Sequence, residues 1–182
     1  MGAIQGKQSV LKGVIKNSEQ ISSFLTERQK QLVKESWTIV AQDLVGTGTC
    51  VFKRLITKYP ELSKLFKKFM TLRDDGKYDW DLDGLQRHAN LVMQGLEAAI
   101  DNLDDSRVLS LILNDLGRKH ARYQVQEDMF DKLWDALRFG LKQALGDQFN
   151  REMSDAWFAV FKFISRQIIT GMRQQRSISN HI

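Results

Sequence analysis

A single proline, Pro60, interrupts a chain of 182 residues. Because proline breaks helices, the long stretches without it leave room for long helices. Within those stretches the apolar residues recur at steps of three and four, which is the spacing of one face of an α-helix. No segment shows the pattern of a β-hairpin, in which alternating apolar residues flank a tight turn. The sequence therefore predicts an all-α fold.

Capping and turn-forming residues locate the expected helices. Thr26 and Gln29 have the spacing of a capping box, and Asp104-Asp105-Ser106 is typical of a helix start. We expect helices over residues 26–41, 44–58, 61–66, 83–103, 127–145 and 150–172, with one more that begins after Asp105. Residues 69–84 are polar and rich in turn formers, so we expect a mobile loop there with at most one helical turn.

The positive charge of the chain lies at its two ends. Residues 1–25 carry a net charge of +2 and residues 166–182 carry +3, whereas residues 26–165 sum to zero. This distribution argues against a nucleic-acid-binding face on the folded body. It permits contact of the ends with an anionic membrane surface, although solvated tails explain it equally well.

Cysteine content and hydropathy suggest where such a chain resides. The only cysteine, Cys50, excludes an intramolecular disulfide and favours a reducing compartment. No run of apolar residues is long enough to span a membrane, and the N-terminus lacks the apolar core of a secretory signal. We therefore expect a cytoplasmic protein.

Two histidines lie on the apolar rows of two different predicted helices. His88 lies three residues after Leu85 and four before Val92, and His120 lies four after Leu116. This spacing directs both imidazoles towards the core. A buried imidazole needs a partner for its ring nitrogens.

Two kinds of partner are possible for these imidazoles. Each histidine could be a core residue that a neighbouring polar group satisfies, or both could ligate a metal held between facing helices. A closed zinc site needs four ligands at short spacings, and the sequence has no such cluster. Two imidazoles alone suit an iron whose other four positions come from a porphyrin.

Short motifs follow one another along residues 25–172. They are Lys34-Glu35-Ser36-Trp37, Val51-Phe52-Lys53-Arg54-Leu55, Pro60-Glu61-Leu62, Leu116-Gly117-Arg118-Lys119-His120 and Ala156-Trp157. In order and spacing they resemble the globin family, specifically its neuroglobin and globin X branch. The resemblance implies a globin fold, with about seven to eight helices around a haem pocket. It also implies an N-terminal extension over residues 1–25, a globin domain over 26–172 and a C-terminal tail over 173–182.

The resemblance implies a role for individual residues. His120 would be the proximal ligand of the haem iron. His88 would be the distal residue, which either ligates the iron itself or donates a hydrogen bond to bound O2. The remaining expected contacts of the cofactor, haem b (iron protoporphyrin IX), are Phe52, Phe66, Lys68, Leu91, Val92, Leu116, Lys119, Val125 and Phe130. Leu91 departs from the family, which often has a basic residue there for a haem propionate. Gly48 and Ala89 would be the small pair where two helices cross closely.

Three functional classes remain open from the sequence. The resemblance favours a haem protein that reversibly binds O2, CO or NO, for oxygen transport, storage or sensing. The alternative is a redox enzyme, such as a nitric oxide dioxygenase or nitrite reductase, or an electron-transfer protein, and each would need an external reductase. A haem-free helical interaction module is the third. We expect a ligand-binding protein more than a dedicated enzyme.

The N-terminal extension offers Gly2 for myristoylation after removal of Met1. The match is loose, because Gly6 occupies a position where serine or threonine is preferred and no cysteine lies nearby for a second acyl chain. One myristoyl chain binds membranes with a constant of only about 10⁴ M⁻¹, so a second signal is required. Lys7, Lys12 and Lys16 beside an apolar stripe could provide it. The extension is either a weak tether to the inner face of the plasma membrane or an unmodified leader.

Overall fold

The computed structural model describes residues 25–179. Over this range the chain forms six α-helices, three 3₁₀ segments and one two-stranded sheet. The helices are α1 (Glu27–Val40), α2 (Leu44–Lys58), α3 (Leu82–Asp101), α4 (Ser106–Ala121), α5 (Met129–Leu145) and α6 (Arg151–Ser179), and the 3₁₀ segments are Ala41–Asp43, Pro60–Phe69 and Gly146–Gln148. The predicted helical architecture is confirmed, with one short sheet in addition.

The helix starts follow the predicted caps. Thr26 and Gln29 form the complete capping box: the Thr26 hydroxyl accepts from the Gln29 amide at 3.2 Å, and the Gln29 side chain accepts from the Thr26 amide at 2.9 Å. The Asp105 carboxylate accepts from the amide of Val108 at 3.0 Å. These bonds satisfy amide groups that have no partner within the first turn of a helix.

The helix end expected at Met172 is too early. α6 continues to Ser179. Arg173 pairs with Glu127, and Arg176 donates to the backbone oxygen of Val125. The apolar row ends at Met172, but these polar contacts hold the last two turns of α6 against the segment before α5.

Residues 69–84 contain a hairpin, so the prediction of a loop without strands was wrong. Strand β1 (Met70–Leu72) pairs antiparallel with β2 (Tyr78–Trp80). Gly76 turns the chain with φ +77°, and the Asp75 carboxylate accepts from the amide of Lys77 at 3.1 Å. Each strand has only three residues, which is too short for alternation to appear in the sequence. The Asp-Gly pair was the available signal.

The segment before the hairpin is helical, as expected over residues 61–66, but it is longer than expected. It is a 3₁₀ segment that continues to Phe69, with a kink at Phe66 (φ −114°, ψ 18°). The amide of Asp81 donates to the oxygen of Phe69 at 2.9 Å and closes the base of the hairpin. Both Phe66 and Phe69 are thereby brought to the start of α3.

Close helix crossings orient the two histidine-bearing helices. A Cβ on Gly48 of α2 would lie 3.1 Å from the Cβ of Ala89 of α3, so the predicted small pair at this crossing is confirmed. α4 packs on α6 at closer range. A Cβ on Gly117 would lie 2.0 Å from the backbone oxygen of Ile168, and one on Gly171 would lie 2.1 Å from that of Asn114. Only glycine permits this approach of two backbones.

Candidate functional site

His88, in the second turn of α3, is enclosed by three aromatic rings. Its ring centroid lies 4.9 Å from that of Phe52 and 5.9 Å from that of Phe66, both in edge-to-face geometry. Phe69 stacks on the other side at 5.5 Å, with an interplanar angle of 26°. The structure therefore brings the predicted residues Phe52 and Phe66 to His88. It adds Phe69, which the sequence analysis missed because it lies in the segment expected to be a loop.

The surroundings of His88 favour its neutral form, and the described residues offer its ring no hydrogen-bond partner. Among residues 25–179 no hydrogen bond to its ring nitrogens is present. Burial lowers the pKa of His88 below the ordinary histidine value, and the nearby His120 lowers it further. A neutral imidazole has one N–H to donate and one lone pair to offer a metal.

His120, near the C-terminal end of α4, is oriented by its own helix. Its Nδ1 lies 2.8 Å from the backbone oxygen of Leu116. A carbonyl oxygen can only accept, so Nδ1 carries the proton and donates it. The lone pair of Nε2 is then free for a metal. A hydrogen bond of this kind from the second ring nitrogen is the usual support of a metal-ligating histidine.

Most of the expected haem contacts are apolar and belong to the core or pack against it. Phe66, Val92, Leu116 and Val125 are only partly buried although they pack against the core, whereas Phe130 is buried. Val92 lies one turn after His88 on α3. Partly exposed apolar side chains that adjoin the core are the kind of surface that a large flat apolar group can cover.

The other expected contacts lie at the surface. Leu91 is 66% exposed, and Lys68 and Lys119 are also exposed. Lys119 forms an ion pair with Asp115 at 3.0 Å. An exposed lysine suits a charged propionate at the edge of a haem, but Leu91 offers no charge there. Contact of these three residues with a cofactor stays a prediction.

The donor set fits a haem. In the described part of the chain no group of three or more histidine, cysteine or acidic side chains could enclose a metal ion. A metal held by His88 and His120 would thus need its remaining ligands from another source, and a porphyrin supplies four in one plane. The apolar walls supply the burial that holds such a group.

Comparison with known proteins agrees with this assignment. A family model described as Globin matches residues 49–168, a range that includes both histidines. The chain is 28% identical to a neuroglobin of Danio rerio over 147 residues, which cover 81% of this chain and 92% of that protein. It is 31% identical to an anaerobic nitrite reductase of Arabidopsis thaliana over 155 residues, which cover 84% and 96% respectively.

A solved structure shares the fold. The crystal structure of a hexacoordinated heme protein from an anhydrobiotic tardigrade superposes with a TM-score of 0.72 at 23% identity. The similarity covers 82% of this chain and 96% of that chain. The two chains therefore share the same fold.

Proposed function

Because the chain belongs to the globin family, we propose that it holds haem b between His120 and His88 and reversibly binds O2, CO or NO. The haem cofactor follows from the family, and the two histidines are the residues on which the geometry converges. The observation that carries the proposal is the hydrogen bond from His120 Nδ1 to the Leu116 oxygen at 2.8 Å, which turns Nε2 to the role of metal ligand.

Different residues of this chain would act on the two faces of the haem. The haem iron, when bound, supplies reversible binding of diatomic ligands. His120 holds the cofactor and fixes its orientation through α4. Phe52, Phe66 and Phe69 surround His88 and exclude water from the distal face, which limits proton-assisted oxidation.

For the resting state, we propose that His88 itself ligates the iron. The neutral ring has a free nitrogen and no hydrogen-bond partner in the described range that would compete for it. The tardigrade protein of the same fold is a hexacoordinated haem protein. An external ligand must then displace His88, which suits sensing or storage at low turnover more than bulk transport.

Spectra of the ferrous protein test this proposal. Wild type is expected to be six-coordinate without added ligand, and His88→Leu five-coordinate. CO binding should be at least about tenfold faster in His88→Leu, because no internal ligand has to leave first. Gln94→Leu, at an exposed position of the same helix, is the matched control. A five-coordinate wild type, with only faster O2 loss in His88→Leu, would make His88 a hydrogen-bond donor instead.

A second candidate function is reduction of nitrite, favoured by 31% identity to a plant anaerobic nitrite reductase. Nitrite, one electron and two protons would yield NO and water, with the electron from an external reductase. Anaerobic NO production from nitrite with a chemical reductant tests it. If His88 competes with nitrite for the iron, His88→Leu should be the faster variant. If wild type and His88→Leu produce NO at the same rate, and that rate is near the rate of free haem, nitrite reduction is excluded as a function.

For location, we propose the cytoplasm, with a weak contact of the N-terminal extension with the inner face of the plasma membrane. No helix within residues 25–179 combines the length and hydropathy needed to traverse a bilayer. Gly2 and the lysines of the extension lie outside the described residues, so the support for a tether is the sequence alone. Fractionation of cells that express wild type or Gly2→Ala tests it. Equal cytosolic distribution, without acyl mass on the N-terminus, would leave no tether.

A further inference from the structure

A second cavity lies outside the haem site. It is a cleft of about 650 Å³ along one side of α2, which Gln86 of α3 and Phe139 of α5 complete. None of its lining residues is among the expected haem contacts. The cleft is therefore a separate feature of the surface, and its chemistry has to be explained on its own.

The cleft carries positive charge without an acidic partner. Lys53 and Arg54 both line it, and neither forms an ion pair with any residue in the described range. The only acid of the lining, Asp43, caps α2 by accepting from the amide of Gly46 at 2.8 Å. The cleft thus presents two cations against one carboxylate, and neither cation is in an ion pair with that carboxylate.

Two of its polar atoms are also buried without a hydrogen bond. They are Thr49 Oγ1 and Arg54 Nε. Leaving a buried donor unpaired is unfavourable, so such atoms in a native fold call for a partner. The guanidinium of Arg54 lies over the ring of Phe139, 4.7 Å from the centroid. This contact covers one face of the guanidinium, and Nε is buried, but the two terminal nitrogens are not among the buried atoms and can still donate.

Apolar surface adjoins these donors. Val45 and Phe139 are 38% and 36% exposed although both line the cleft. A ligand that contacts both the cations and the apolar surface of the cleft must therefore combine an anionic head with an apolar body. The N-terminal extension is a poor match, since residues 1–25 carry a net charge of +2.

We propose that this cleft binds a free fatty acid. The carboxylate meets the terminal nitrogens of Arg54, and the unbranched tail lies along Val45 and Phe139. The planar guanidinium fork matches the two oxygens of a carboxylate. Lys53 adds long-range attraction for the anion.

Binding of dodecanoate to the haem-loaded protein tests the proposal. Calorimetry should show one saturable site per chain, with dodecanol at least about tenfold weaker because it lacks the charge that pairs with Arg54. Arg54→Met should weaken dodecanoate binding about tenfold or more. Arg107→Met, at an exposed position on α4, is the matched control and should bind as wild type does.

Cys50 provides an independent readout of occupancy at this place. It lines the cleft and is the only cysteine of the chain, so alkylation by iodoacetamide reports on one site. Dodecanoate should slow alkylation with the same concentration dependence that calorimetry gives. In Arg54→Met the protection should require about tenfold more dodecanoate. Binding by calorimetry without protection of Cys50 would place the fatty acid elsewhere and overturn the proposal.

If Arg54→Met folds poorly, a variant that fills the cleft tests whether dodecanoate binds there. Thr57 lines the cleft and is exposed, so Thr57→Trp fills the space without disturbing the core. It should abolish dodecanoate binding and leave the thermal midpoint near that of wild type. Unchanged binding in Thr57→Trp would refute the proposal. So would a wild-type dimer that Thr57→Trp dissociates, because the cleft would then be an interface between two copies.

Discussion

The imidazole of His120 donates from Nδ1 to the backbone oxygen of Leu116, one helical turn earlier, over 2.8 Å. The bond uses only the backbone of α4 and one side chain, so the ring is oriented before any cofactor arrives. Helical hydrogen bonding leaves the last four carbonyls of a helix without an amide partner, but Leu116 precedes that last turn. Its oxygen therefore accepts from the imidazole as a second donor.

Removal of this ligand should release the cofactor. We expect His120→Gly to lose haem more than about tenfold faster than wild type, since even partners behind a metal ligand change metal affinity about 10–100-fold. Haem transfer to an excess of an apoprotein acceptor measures the rate. Added imidazole should partly restore retention in His120→Gly. Tyr123→Ala, at a 69% exposed site, is the control and should lose haem at the wild-type rate. If His120→Gly also loses haem at the wild-type rate, another residue is the proximal ligand.

The backbone contact between α4 and α6 should not tolerate a methyl group. In Gly117→Ala the new Cβ would lie 2.0 Å from the oxygen of Ile168, and the helices must separate at a cost of about 1–3 kcal/mol. At Gly95, an exposed position of α3, a Cβ meets nothing within 4 Å. Gly95→Ala should therefore raise the free energy of unfolding by about 0.5–1 kcal/mol. Urea unfolding of both variants measures the two changes in unfolding free energy. Equal changes would contradict the close approach of the α4 and α6 backbones.

A buried hydrogen bond joins α1 to α6. The indole N–H of Trp157, which has no exposed surface, donates to the Ser36 hydroxyl at 2.9 Å. Ser36→Ala should leave the indole donor unpaired and lower the free energy of unfolding by about 1–3 kcal/mol. Ser63→Ala, for which no side-chain hydrogen bond is present among the described residues, is the control. Equal stability of Ser36→Ala and Ser63→Ala would show that water or another group satisfies Trp157.

The end of α6 should respond to acid. Arg173 donates to Glu127 at 2.8 Å, and this bond lowers the pKa of Glu127 below the ordinary glutamate value. The pair therefore contributes stability above that ordinary range and loses it as the pH falls through the lowered pKa. The effect is modest, because the pair is exposed. The difference in unfolding free energy between wild type and Glu127→Gln should be largest near neutral pH and vanish in acid; a pH-independent difference would exclude the ion pair as its source.

The sequence reveals the two histidines and most helices because both depend on local periodicity. His88 and His120 belong to apolar rows of long helices, and both are partly buried in the structure. Phe52 and Phe66 could be assigned through the family motifs around them. The contact of Phe52 with His88 follows from the close crossing of α2 and α3, for which Gly48 and Ala89 were the only local sign.

The features that the sequence did not reveal depend on tertiary contacts. Phe69 reaches His88 because a hydrogen bond between Phe69 and Asp81 closes the hairpin, and strands of three residues leave no period to detect. The last turns of α6 persist through pairing of Arg173 with a residue far away in sequence. The cleft beside α2 combines residues of three helices, and no single segment carries its pattern.

The hairpin has a consequence for engineering the chain. Its tip, residues 73–77, is fully at the surface, and a Cβ on Gly76 would meet nothing within 4 Å. The bond from Asp81 to Phe69 seals the base, so the length of the tip is uncoupled from the rings around His88. A short peptide grafted between Asp75 and Gly76 should thus be carried as an external appendage. That position offers a handle for a fluorophore or an affinity tag within a few residues of the distal pocket.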